Sequence, residues 1–541
     1  MNVQRDRKIR GFVAASVLGV ALAAASPLGA QHSTRPFGIT ARMSVDSGGS
    51  QGNDDSEVWS GGQVSADGRF VTFDSYASNL VPGDTNGQID IFVHDRLTGE
   101  TTRVSVSSAG KQANNFSAFT SISADGRYIA FDSYASNLVP GDTNHQDDVF
   151  VHDRVTGETT RVSVDSSGNQ TDGLTAKCVP SADGRFVAFD STAANLVPGD
   201  TNGQDDIFVH DRLIGETTRV SVSSSGAQAD DRSEAPALSA DGRYVAFFSY
   251  ADNLVAADTN SSLDVFVHDR LTGETTRVSV DSLGHQANGG GEGPSISGDG
   301  RYVAFESVSR DLVPDDRNSS SDAFVHDCVT GETTRVSVNS AGREGDWNSE
   351  FVSISADGRY VAFASWANNL AWNDGDYGRD VFVHDRRTRS TTLVSTKPFR
   401  AVDIQLGFTG YPSISADGRY VTFSSEKPIV PEDTNQAYDV FLCGPELTLD
   451  AEPRVVPSGQ ILTLTTYKSL AGNYASLWIV ALDGAPFSML VLADVFGSNG
   501  TLVLSGIVPP GLGPLDITFR GYGAGASGVV SETNDVTVSV Q

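Results

Sequence analysis

The sequence predicts an all-β protein: a seven-bladed β-propeller closed by an N-terminal strand, followed by a small β-sandwich domain. Three observations carry this. A segment "SADGR", or a close variant, recurs seven times with its Asp at Asp67, Asp125, Asp183, Asp241, Asp299, Asp357 and Asp417, spaced by 58 residues and finally by 60. Each unit holds four strand-like segments, the number one propeller blade needs. The seventh unit lacks its fourth segment, and a matching one stands alone near the N-terminus.

The elements follow in chain order. Residues 1–30 read as a cleaved secretory signal, with "RDRKIR" as basic n-region, "GFVAASVLGVALAAAS" as short apolar core and a cut after Ala30. A signal anchor is the alternative. No later window approaches the roughly 18 apolar residues of a spanning helix.

Residues 31–443 form the propeller. In the second unit "SIS" leads into "ADGR", where Asp-Gly between apolar runs marks a tight hairpin because Gly accepts positive φ. "YIAF" is the second strand, "VFVH" the third, and "TGE" turns into "TTRVSV", which alternates polar and β-branched residues. The segment "TARMSVDS" (Thr40 to Ser47) matches "TTRVSVDS" (Thr159 to Ser166) and has no strands before it. It is expected to complete the seventh blade, removing two open sheet edges.

These "SxSADGRYVAF…DVFVHDRxTGE" units resemble the TolB-like family of WD-repeat-like propeller repeats of secreted and periplasmic bacterial proteins. The likeness spans roughly residues 39–443. It implies a protein-interaction scaffold, although related propellers also cap peptidases. The N-terminal α/β domain of TolB itself has no counterpart here, so its role in outer-membrane integrity is not carried over. Residues 444–541 hold about seven apolar-alternating segments between Gly, Pro and Asn, a pattern that reads as an immunoglobulin-like β-sandwich.

A formal charge of −30 and a pI near 4.5 exclude a phosphate-backbone partner, which needs clustered Lys and Arg. Cys178, Cys328 and Cys443 sit at different places in the repeat, so neither a disulfide framework nor a metal spacing emerges.

One acidic triplet recurs in the loop before every third strand. Its members are Asp84, Asn86, Asp90; Asp142, Asn144, Asp148; Asp200, Asn202, Asp206; and Asp258, Asn260, Asp264. It continues as Asp316, Asn318, Asp322; Asp374, Asp376, Asp380; and Asp433, Asn435, Asp439. Two readings stand. Side-chain oxygens at this spacing suit Ca²⁺ as ligands 1, 3 and 7 of an aspartate-rich loop, with a Kd on the order of 10⁻⁴–10⁻³ M. Alternatively Asp and Asn lock the loop through Asx-turns, which is the favoured reading.

His94, His152, His210, His268, His326 and His384 share one repeat position, where the seventh unit has Cys443. Six copies round a ring describe packing, not catalysis. Arg69, Arg127, Arg185, Arg243, Arg301, Arg359 and Arg419, with Asp95 and its equivalents, are expected to bridge hairpins on one rim.

Function is expected where the repeats differ, above all in the loops from strand four to the next strand one. Trp59, Trp347, Trp366 and Trp372 fall on or beside these loops and form a candidate ligand rim, although Trp366 also stands where Tyr76, Tyr134 and Tyr250 recur. No nucleophile elbow, His-Glu-x-x-His or phosphate loop is present. The preferred reading is a monomeric, non-enzymatic scaffold, secreted or periplasmic, that offers one rim to a protein or glycan. The rival is a calcium-assisted carbohydrate-active hydrolase or lyase using unrepeated acids such as Asp346, Glu350 or Asp403.

Overall fold

The computed structural model describes residues 40–56, 62–372, 374, 378–395 and 408–444 with their side chains, and the backbone of Ile39 and of the strands beyond 444. The leader, Trp59, Asp376 and Asp403 lie outside the described residues.

Seven antiparallel four-stranded sheets follow one another along the chain. Blade two shows the plan, with strands Ser117–Ile122, Tyr128–Ser133, Asp148–Asp153 and Glu158–Arg161 in spatial order. First strands of successive blades lie side by side and therefore line the axis, while fourth strands are outermost. Blade seven contains Thr409–Ile414, Val421–Ser425 and Asp439–Gly444, and its fourth strand is Ile39–Arg42. That closing strand pairs antiparallel in the register Ile39↔Gly444 to Arg42↔Phe441, as the sequence led us to expect.

Alternation along each middle strand sends side chains to both neighbouring blades. Phe131 packs back toward blade one, with Ile91 and Val93. Ala130 and Val151 pack forward onto Cys178, Val187 and Phe189 of blade three. Every junction repeats this dry contact, including the closing one, where Ala41, Met43 and Leu442 meet Val64, Val71 and Phe73. Each blade also buries a stacked Phe pair, such as Phe131–Phe150 at 6.0 Å between centroids. Burial of one such ring stabilises by about 1.5–3 kcal/mol, so the junctions carry the fold.

The "SADGR" turns are built for contact as well as for curvature. Gly184 has φ +68°, and a Cβ there would overlap the Tyr128 ring of the preceding blade. The residues before the Asp, alanine except for Gly298, form a chain of main-chain bonds round the axis: Ala66 N donates to Ala124 O, Ala124 N to Ala182 O, and so on to Ala416.

Beyond the propeller, strands between Leu449 and Val540 pair into one sheet of three and one of six. Among the described residues no helix is long and apolar enough to cross a membrane.

Candidate functional site

The repeated polar residues are consumed in construction. His152 Nδ1 lies 2.9 Å from Thr159 Oγ1, and that hydroxyl donates to Val106 O of the preceding blade at 2.5 Å. The hydroxyl's proton is thus committed, so Nδ1–H is the donor. Burial lowers these imidazoles, His94 and His384 to about 4. Arg127 grips Asp153 with two bonds, Nε to Oδ1 at 2.9 Å and Nη2 to Oδ2 at 2.7 Å, and holds that carboxyl below its ordinary value. The neighbouring Arg154 is spent across the junction, donating to Gly126 O at 2.7 Å and lying 4.1 Å over the Phe70 ring.

In blade one the acidic triplet surrounds an arginine. Arg103 Nη1 is 3.4 Å from both Asp84 and Asp90. Gln112 Nε2 donates to the same two carboxylates at 2.8 and 2.9 Å, and Ser105 Oγ to Asp90 at 2.5 Å. Asn86 Oδ1 accepts from Gln88 N at 2.9 Å, forming an Asx-turn, while its Nδ2 donates to Asp90 at 3.1 Å. The same guanidinium enters blades two to five, and Arg42 of the closing strand serves blade seven.

Two blades depart from this pattern. In blade five Glu344 replaces the glutamine, and Asp316, Asp322 and Glu344 gather ligand oxygens within 4.8 Å. Arg335 Nη1 stands among them, 2.9 Å from Glu344. In blade six Leu393 replaces the arginine, and the buried Lys427 of blade seven lies 3.7 Å from Asp380 instead.

Unrepeated chemistry collects where the first strands bulge. Their register slips at one shared place, leaving Phe119, Lys177, Ala235, Gly293, Phe351 and Tyr411 at φ between +44° and +59°. Bulges re-aim side chains and turn main-chain donors outward. Two of these N–H groups meet carboxylates of the preceding blade: Ala235 N donates to Asp190 at 3.1 Å, and Phe351 N to Glu306 at 3.2 Å. Burial pushes both acids up to about 8.

At blades six and seven the bulge residues join an aromatic cluster. Phe351 and Tyr411 are 4.4 Å apart, Phe408 lies 5.8 Å from Tyr411, and Tyr438 6.2 Å from Phe408. All four rings are half-buried. Arg379 lies 3.2 Å over the Phe408 ring, donates to Thr409 O at 2.9 Å and contacts Glu350 at 3.4 Å. Its burial draws the guanidinium down to about 10.

Of the four candidate rim tryptophans, Trp347, Trp366 and Trp372 lie among the described residues. Trp347 and Trp372 are exposed, and Trp366 makes the main-chain bond to Asn348 O that Tyr134 makes to Phe116 O, so it occupies the tyrosine position. Asp346 caps a loop by accepting from Asn368 N at 2.9 Å, and Glu350 reaches the cluster. Arg379 and Lys427 were not foreseen. For Arg379 the signal existed in the column before the third-strand Asp, which reads Ile89, Asp147, Asp205, Leu263, Ser321, Arg379, Tyr438 while the Asp after it stays fixed.

No family model matches the chain, and no curated protein matches its sequence. Solved structures do show likeness. A putative TolB from Agrobacterium tumefaciens is 16% identical over 55% of this chain and 84% of its own, with a TM-score of 0.33. A periplasmic gluconolactonase from Pseudomonas aeruginosa is 18% identical over 62% of this chain and 84% of its own, at 0.31. The RRP9 WD40 repeats are 9% identical over 72% and 98%, at 0.38. The fold rests on the chain's own sheets: it is an all-β propeller of seven blades, closed by its N-terminal strand.

Proposed function

We propose that the protein is a non-enzymatic binding scaffold, exported to the periplasm or beyond, that offers the rim at blades six and seven to a protein or glycan. The observation supporting this reading is the cluster of Phe351, Phe408, Tyr411 and Tyr438 around Arg379 and Glu350. Half-exposed ring faces beside a guanidinium and a carboxylate supply stacking area and directional hydrogen bonds, the combination that recognises sugars and peptide side chains. A ring of near-identical blades supplies rigidity, and the unrepeated corner supplies selectivity. The residues 444–541 are proposed as a β-sandwich spacer or anchor.

The test is a panel of immobilised oligosaccharides and unstructured peptides probed with full-length protein. Binding by wild type that weakens at least tenfold in Phe408→Ala and Tyr411→Ala, with melting temperatures held within a few degrees, is the expected outcome. Wild-type silence across the panel, or cleavage of a bound polysaccharide, would count against the reading.

A further inference from the structure

The junction of blades two and three buries two carboxyls that have no cation. Asp132 ends the second strand on the face that carries Ala130 toward blade three, and Asp147 immediately precedes the third strand. Their exposures are 1% and 8%. Among the described residues neither takes part in an ion pair, and the Oδ1 atom of each is buried without a hydrogen-bond partner. The two side chains bond to each other, and the Asp132 carboxyl also meets the main-chain N–H groups of Asp132 and Ala118.

Comparison within the ring makes this the exception. The same pair recurs one blade later as Asp190 and Asp205, but there Lys177 lies near and Ala235 N donates to Asp190. Lys177 cannot serve both junctions: its Nζ lies 3.6 Å from Glu234 and faces the Phe248 ring, both on blade four. In blade six the position of Asp147 is filled by Arg379. The groups facing the pair are Asp74 of blade one, Asp148 and Tyr134 of blade two, and Cys178 of blade three. All are acidic or neutral. Burial holds the Cys178 thiol protonated, so the available donors are oxygen.

We propose that Asp132 and Asp147 form a binding site for a hard divalent cation such as Ca²⁺ at the junction of blades two and three. A proton shared between the carboxyls satisfies one oxygen of each and leaves both Oδ1 atoms bare. A cation satisfies them together and removes the repulsion of two carboxylates in a medium of low dielectric. Oxygen-only donors select Ca²⁺, Mg²⁺ or Mn²⁺ over thiophilic metals, with main-chain carbonyls and water completing the shell. Asp147 adjoins Asp148 of the blade-two triplet, but Asp148 is itself committed to Arg161 at 3.1 Å and to Ser163 at 2.6 Å.

The experiment uses full-length protein in CaCl₂ against chelator. Wild type is expected to melt a few degrees higher in CaCl₂, the shift growing with the logarithm of ion concentration. Asp132→Asn and Asp147→Asn should lose that shift while melting in chelator at or above the wild-type temperature, because each removes a buried charge. Should the variants fail to fold, Tb³⁺ luminescence on wild type decides: Tyr134 beside the pair should sensitise the ion, and Tyr134→Phe should dim the emission yet keep the Ca²⁺ shift. Absence of any shift with Ca²⁺, Mg²⁺ or Mn²⁺ overturns the site, as does a shift that survives in both Asn variants.

Discussion

His384 shows how one residue type can be plentiful and chemically silent. Its Nδ1 is tied to Thr391, and burial lowers its pKa from 6.5 to about 4. The sign follows from linkage. Between those values the unfolded chain binds a proton that the folded chain refuses, so the contribution of His384 is complete above pH 6.5 and is lost as pH falls toward 4. The loss amounts to about 3 kcal/mol for one imidazole. Buried acids such as Glu306, raised to about 8, act in the opposite direction, so total stability mixes both signs. A difference measurement isolates the histidine. Relative to His384→Gln, wild type is expected to lose stability steadily from pH 6.5 to 4 in denaturant titrations, and parallel curves would contradict the assignment. This role was legible in the sequence because six copies in phase cannot all be catalytic. Asp147 and Arg379 were not singled out, because a polar residue in a varying loop column shows no sign of burial until the fold supplies it.

At the scale of elements, the Asp-Gly turns and the four strands per unit were open to reading, since positive φ and two-residue alternation leave marks in composition. The first-strand bulge leaves none. Its positive-φ place holds Phe, Lys, Ala, Gly and Tyr in different blades, so no glycine signal betrays it. What fixes the bulge is the crowding of first strands at the axis and the acids that meet its N–H groups. Two glycines separate local conformation from contact between blades. Gly157, at φ +76°, has open space around its Cα, whereas a Cβ on Gly184 would overlap Tyr128. Gly157→Ala is expected to cost about 1–2 kcal/mol for backbone strain alone. Gly184→Ala should cost about 2–4 kcal/mol, because Tyr128 must also yield. Equal losses in chemical denaturation would mean that the turn does not bear on the neighbouring blade.

At the scale of the molecule, counting repeats and noticing one missing segment were enough to close the ring. Deleting residues 38–47 removes the fourth strand of blade seven and takes Arg42 from the buried Asp439. The loss should reach at least on the order of 5 kcal/mol, from exposed apolar surface and uncompensated charge together. An unchanged melting curve for the deletion would refute the closure. The cluster at blades six and seven was not anticipated in the sequence, for a reason that also lies at this scale. Loop residues such as Trp347 and Trp372 stand out in a sequence, while Arg379 and Tyr438 acquire meaning only once blade six is laid beside blade seven.

The clasp between Arg42 and Asp439 joins positions 397 apart in the chain. Bringing such distant ends together carries an entropic penalty of about 5 kcal/mol, far more than any hairpin within a blade incurs. Ribosomal synthesis is vectorial, so the Ile39–Arg42 strand must travel with a bare edge until Gly444 has emerged. Zipping that seam is therefore the late step of maturation, and a circular permutant cut between two other blades would convert it into a neighbourly hairpin.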